Sequence, residues 1–146
     1  MNNKQAAKNK IKNHNLTMMK VILGKIITKM TIQGRGCVVQ GYGVSYVNKR
    51  ENTRDPIAHL LPDNSFWSDF NPIDHEAMKP VLNKIMKKYS INITFDTERR
   101  KFRDFLSSIQ EAHDEIFEIF PQKSFEHLPI DMFLSRCASI NKELVL

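Results

Sequence analysis

The sequence predicts a small, mainly helical α+β domain, with four to five helices around one core and a small two- or three-stranded β element. Three observations carry this expectation. Apolar residues recur at three- and four-residue spacing through most of the chain, as a helix with one buried face requires. Only Cys37–Val47 combines β-branched and aromatic residues with close glycines, the pattern of short strands about a turn. The chain has 146 residues, 41% hydrophobic and 26% charged, which suits a single folded core.

Residues 1–15, MNNKQAAKNKIKNHN, are polar and basic with almost nothing to bury. They read as a flexible basic tail ahead of a globular domain over 16–146. They carry neither the apolar core nor the small-residue cleavage site of a signal peptide. Leu16, Met19, Leu23, Ile26, Ile27 and Met30 then fall at helical spacing, with Asn15 as the expected cap and Lys25 and Lys29 on another side. Gly34 and Gly36 end this helix, and strands follow around Gly41 and Gly43. The glycines form neither the dinucleotide fingerprint nor a P-loop, so no phosphate loop is expected here.

Asn48–Asp55 reads as a polar loop, and Pro56 opens a short helix to Leu61. Pro62–Pro72 is loop-like and carries Phe66 and Trp67. Asp74 caps a helix that runs to Tyr89, kinked or restarted at Pro80 and basic on its outside. Ile91–Phe95 has strand propensity and extends the sheet. A long helix capped by Asp96 or Thr97 runs to Phe120, where Pro121 stops it. A last helix spans Pro129 or Ile130 to Glu143.

The net charge of +6 hides an asymmetry. Residues 1–50 hold ten Lys or Arg and no acid, whereas residues 51–146 hold the other twelve bases and all sixteen acids. Such segregation points to phosphate, to an acidic partner, or to the chain's own acidic side. No run of about 20 apolar residues exists, so no membrane helix is expected. Cys37 and Cys137 read as reduced, partly buried thiols of a cytoplasmic protein.

One stretch invites a catalytic interpretation: Phe105–Phe120, with His113-Asp114 at its centre. At about 100° per residue, Phe102, Leu106, Ile109, Ile116 and Phe120 form one arc, and His113 lies in its middle. Asp114 points about 100° away, so the two are poorly placed for a local His-carboxylate couple. His113 therefore reads as a neutral core imidazole with bonded nitrogens. A metal role would need His59, His75, His127, Cys37 or Cys137, and none shows ligand spacing. Nothing specific argues for a Cys37–His113 nucleophilic pair. No catalytic residue, metal or cofactor is expected, and the chain does not read as an enzyme.

Ile109–Asp114, I-Q-x-x-H-D, resembles an L-Q-x-x-H-D element in small uncharacterised phage, prophage and plasmid-borne proteins, where a C-A-x-G segment lies upstream. Gly36-Cys37-Val38-Val39-Gln40-Gly41 is the counterpart here, with its glycine one place later. The resemblance implies a phage-type accessory protein in a bacterial cytoplasm and implies no chemistry. The expected function is binding and inhibition of a host protein, such as a defence nuclease or polymerase. The alternative is nucleic-acid binding by the basic first third, with Tyr42 and Tyr46 stacking on bases near Arg35. The candidate contact residues are Lys25, Lys29, Arg35, Lys49, Arg50, Phe66, Trp67, Asp114, Glu115 and Glu118.

Overall fold

Helix α1 spans Asn3–Gln33, 31 residues without an acid or a proline. The computed structural model describes residues 2–41, 43–61 and 79–144. The expected boundary at Asn15–Leu16 is absent, because residues 3–15 form the first half of this helix. Ala, Lys and Gln are good helix formers, and the Asn2 side chain accepts from the Gln5 N–H at 2.8 Å as N-cap. Asn15 caps nothing. It is 2% exposed, and its amide donates to the Asn92 carbonyl at 2.9 Å and to the Glu98 carboxylate at 3.2 Å. Its oxygen accepts from the Asn92 N–H at 2.9 Å. Gly34 ends the helix in the left-handed conformation (φ 82°), its N–H bonded to the Met30 carbonyl.

Two small antiparallel hairpins follow. β1 (Val38–Val39) pairs with β2 (Gly43–Val44), as the glycine pattern predicts. β3 (Val47–Asn48) pairs with β4 (Thr53–Arg54), so the stretch from Asn48 expected to be a loop is instead most of a hairpin. Asn48 starts the second turn by accepting from the Glu51 N–H, and Asn52 takes φ 55° within it. The short helix after Pro56 is a single 3₁₀ turn, Ala58–Leu60. α2 is described over Lys79–Lys88; its expected start at Asp74, together with Phe66, Trp67, His75 and Tyr42, lies outside the described residues.

Ile91–Phe95 does not extend a sheet. Its donors are taken outside any sheet: Ile91 N–H by the Met86 carbonyl, Asn92 N–H by the distant Asn15 side chain, and Thr94 N–H by the Asn92 side chain. α3 spans Asp96–Ile119 and α4 spans His127–Ile140, close to their expected limits. No side chain caps α3, although Asp96 and Glu98 occupy its first turn. The core joins Ile22, Leu23, Ile26 and Met30 of α1 to Phe102, Phe105 and Phe117 of α3, with Phe125 and with Phe133 of α4. Among the described residues no helix is long and apolar enough to cross a membrane.

α1 and α3 run parallel. Near their starts Lys8 lies over the Phe95 ring, 5.1 Å from its centroid, and Asn15 meets Glu98. Near their ends the segment after Gly34 crosses α3 at His113 and Phe117. Deleting residues 1–7, of which 2–7 are exposed, leaves the thermal midpoint unchanged. Deleting residues 1–15, or changing Asn15 to Ala, lowers stability by about 1–3 kcal/mol, because buried partners on Asn92 and Glu98 are stranded. A 1–15 deletion that melts like the full chain would contradict this docking.

Candidate functional site

The Q-x-x-H-D residues form a buried staple. His113 is fully buried, and its Nε2 accepts from the backbone N–H of Cys37 at 2.9 Å. An acceptor at Nε2 places the ring proton on Nδ1, which donates to Asp114 Oδ1 at 2.9 Å. This corrects the expectation that the adjacent pair is poorly placed for a local His-carboxylate couple. The wheel describes Cβ directions, whereas Nδ1 sits close to the backbone, within reach of the short carboxylate one residue on. Phe117, one turn later, packs with its ring tilted 48° to the imidazole, centroids 5.0 Å apart, and covers Gly36. A Cβ on Gly36 would lie 2.3 Å from the Phe117 ring, so the strap needs glycine to come this close.

Gln110 makes the second tie. Its Nε2 donates to Asp55 Oδ2 at 2.8 Å, and Asp55 Oδ1 accepts from the Ala58 N–H at 2.8 Å. Asp55 is 1% exposed. Burial above all, and then the charge of Asp114, hold its carboxyl well above the ordinary value of 3.8, against the pull of its hydrogen bonds. Among the described residues Gln110 Oε1 is buried without a hydrogen-bond partner.

This arrangement is unsuited to nucleophilic catalysis. The imidazole's acceptor is spent on the Cys37 amide rather than on its sulfur. The thiol donates to the Thr53 carbonyl at 3.4 Å, and burial pushes its pKa to about 12. Cys137 is also a free, buried thiol raised to about 12 by burial. No group of three or more His, Cys, Asp or Glu that could hold a metal occurs among the described residues.

The exposed cations are more suggestive. At the shared starting end of α1 and α3, α1 presents Lys4, Lys8, Lys10 and Lys12, and α3 presents Arg99, Arg100, Lys101 and Arg103. The turn after α2 reaches this region where His14 Nε2 meets the Ser90 carbonyl at 2.8 Å, whereas Lys88 is directed to the Leu60 carbonyl at 3.5 Å. The R-R-K-F-R run, Arg99–Arg103, stands in the sequence as a cationic cluster but was not singled out there. Its position beside the α1 lysines was not legible.

The sequence-derived candidates are scattered by comparison. Lys25 and Lys88 flank the Tyr89 ring at 5.4 and 5.6 Å. The Tyr89 phenol raises the pKa of Lys25, while burial and then the charge of Lys25 lower that of Lys88. Lys29 and Arg35 line a cleft at the far end of α1 with Arg54, not singled out from sequence, and His59, weighed there only as a metal ligand. Lys49 and Arg50 are exposed in the β3–β4 turn. Tyr46 is buried in the core and offers no stacking face. Asp114 is held by His113, Glu115 pairs with Arg136 of α4, and Glu118 is exposed.

His113→Ala lowers stability by about 1–3 kcal/mol, since it strands the buried Cys37 N–H. Asp114→Asn, which keeps an acceptor for Nδ1–H, is nearly silent. Asp55 behaves oppositely to most carboxylates. The fold favours its neutral acid, so its contribution is fullest below the ordinary carboxylate pKa and declines as pH rises toward the folded value. Asp55→Asn therefore removes that decline without lowering stability at neutral pH. Thermal melts across pH check the set; loss of stability in Asp55→Asn at neutral pH would contradict it. No family model, no curated protein and no solved structure matches this chain.

Proposed function

We propose that the protein is a nucleic-acid-binding module that meets its ligand where α1 and α3 begin. The observation behind this is charge placed against helix dipoles. A helix start carries partial positive charge and favours acids, while its end favours bases. α1 has no acid in its first turn and opens with lysines. α3 carries four exposed bases within residues 99–103 and has no base in its last turn. Its second half instead bears Glu111, Asp114, Glu115 and Glu118.

Because the two helices are parallel, both positive ends and both sets of cations add at one pole. Asp96 and Glu98 offset only part of this, and Glu98 is occupied by Asn15 and Lys101. Such self-repulsion is unfavourable in the free protein and is relieved by a polyanion. Each phosphate neutralised there releases condensed counterions, which makes affinity fall with salt.

A second interpretation rests on Ile119, Phe120 and Leu128, which are 68%, 55% and 48% exposed around the α3–α4 corner. Exposed apolar groups of this size suit a protein contact. Together with the Q-x-x-H-D resemblance, they favour a phage-type accessory protein that inhibits a host protein in the bacterial cytoplasm. The two interpretations use different ends of α3.

Titration of duplex DNA against salt tests the first. The logarithm of affinity falls linearly with the logarithm of salt concentration, with a slope of about −0.9 per phosphate contact. Changing Arg99, Arg100 and Arg103 to Gln flattens that slope, while Glu118→Gln does not. A slope unchanged by the triple substitution would exclude the pole as the contact surface. Salt-resistant capture of a host protein, lost on Phe120→Asp, would instead favour the second interpretation.

A further inference from the structure

A cleft of about 530 Å³ opens between the end of α1 and the β3–β4 hairpin, well away from the cationic pole. One buttress organises it. Gln33 Nε2 donates to the Arg35 carbonyl at 2.8 Å and to the Arg54 carbonyl at 3.0 Å. Those two bonds fix the orientation of its amide, so the other atom is the oxygen. That oxygen accepts from the Arg54 N–H at 2.8 Å and meets His59 Nε2 at 2.9 Å, which places a proton on that ring nitrogen. A single side chain thus ties the helix end to the hairpin and to the 3₁₀ turn, giving the cleft a fixed wall.

The chemistry of that wall is cationic with one apolar shelf. Lys29 Nζ is steadied by the His59 carbonyl at 3.3 Å, a bond that uses one of its three donors. Arg35 pairs with Glu51 at 3.4 Å, but both side chains are nearly half exposed, so the pair is weak and exchangeable. Arg54 is anchored by the Ala58 and Leu61 carbonyls, each at 3.4 Å, and adds its fixed charge to the field. Ile32 lies on the same wall at 80% exposure, a large apolar side chain set among cations.

We propose that this cleft binds the phosphate of a nucleotide, with Lys29 and Arg35 taking the phosphoryl oxygens and Ile32 supporting the sugar or base. Lys29 supplies donors from a charge already held in place. Arg35 trades an exposed carboxylate for a ligand its fork can meet with two hydrogen bonds. The same chemistry serves a free nucleotide or one unit of a strand. The site does not depend on nucleic acid binding at the pole.

The test is an amide-resolved NMR titration of the full chain with inorganic phosphate, a nucleoside monophosphate and a short single-stranded oligonucleotide. The monophosphate shifts the amides of Ile32, Gln33, Arg35 and Thr53, with half-saturation near or below about 1 mM. Lys29→Gln and Arg35→Gln each weaken it roughly tenfold, the scale of one charge-assisted hydrogen bond. Ile32→Ser, an exposed change that leaves folding intact, weakens the monophosphate but not inorganic phosphate. A cleft response to the oligonucleotide alone, lost in Lys29→Gln, supports the proposal with a strand as the source. Absence of any cleft response, or responses indifferent to all three substitutions, overturns it. The Arg99, Arg100 and Arg103 changes leave these shifts in place, so failure at the pole and failure at the cleft are told apart.

Discussion

A backbone amide that is buried must find an acceptor, and this requirement at Cys37 organises the fold. The segment leaving α1 has turned at Gly34 and crosses α3 with too few residues to build a long ladder. Its Cys37 N–H is therefore satisfied from α3, by His113 Nε2. Several features follow from that bond. Gly36 must lack a side chain, because Phe117 occupies the space. Asp114 must hold the proton on Nδ1, so that Nε2 stays an acceptor. Gln110, one turn earlier, catches Asp55 after the second hairpin. Q-x-x-H-D is thus a paired tie between one helix and two loop segments, and its histidine has no free lone pair for chemistry.

The staple also bears on electrostatics. It fixes the far end of α1 beside the second half of α3, while Asn15, Asn92 and Glu98 fix the near ends. Two clamps along parallel helices bring like charges together at one pole, a cost that each helix alone would avoid by reversing its charge order. The cleft near Gln33 lies beyond the second clamp. It is built from hydrogen bonds to backbone carbonyls rather than from burial, and that accounts for its exposure to solvent.

Much of the framework was legible in the sequence. Periodicity located α3 and α4 and put His113 in the apolar arc, because burial of one face sets the 3.6-residue repeat. Glycine at 34 marked the end of α1 for a local steric reason. The start of α1 was not legible, since residues 3–14 are polar and periodicity has nothing there to register. Its docking shows only in contacts with distant residues: Lys8 with Phe95, His14 with Ser90 and Asn15 with Asn92. Ile91–Phe95 has strand propensity, yet its N–H groups were claimed by α2 and Asn15, an override by tertiary context. The cationic pole depends on the parallel course of α1 and α3, which no local pattern reports. For the same reason the cleft's Arg54 passed as an ordinary loop residue and His59 was weighed only as a metal ligand.

The central claim is that His113 serves as an acceptor for the Cys37 amide, and nitrogen NMR addresses it directly. An N–H···N hydrogen bond transmits a scalar coupling between its two nitrogens. In uniformly ¹⁵N-labelled protein, the account predicts a coupling between the Cys37 amide nitrogen and His113 Nε2. It also predicts a ring proton on Nδ1 and strong exchange protection of the Cys37 amide. A His113 ring protonated at Nε2, with no coupling and a rapidly exchanging Cys37 amide, would contradict it.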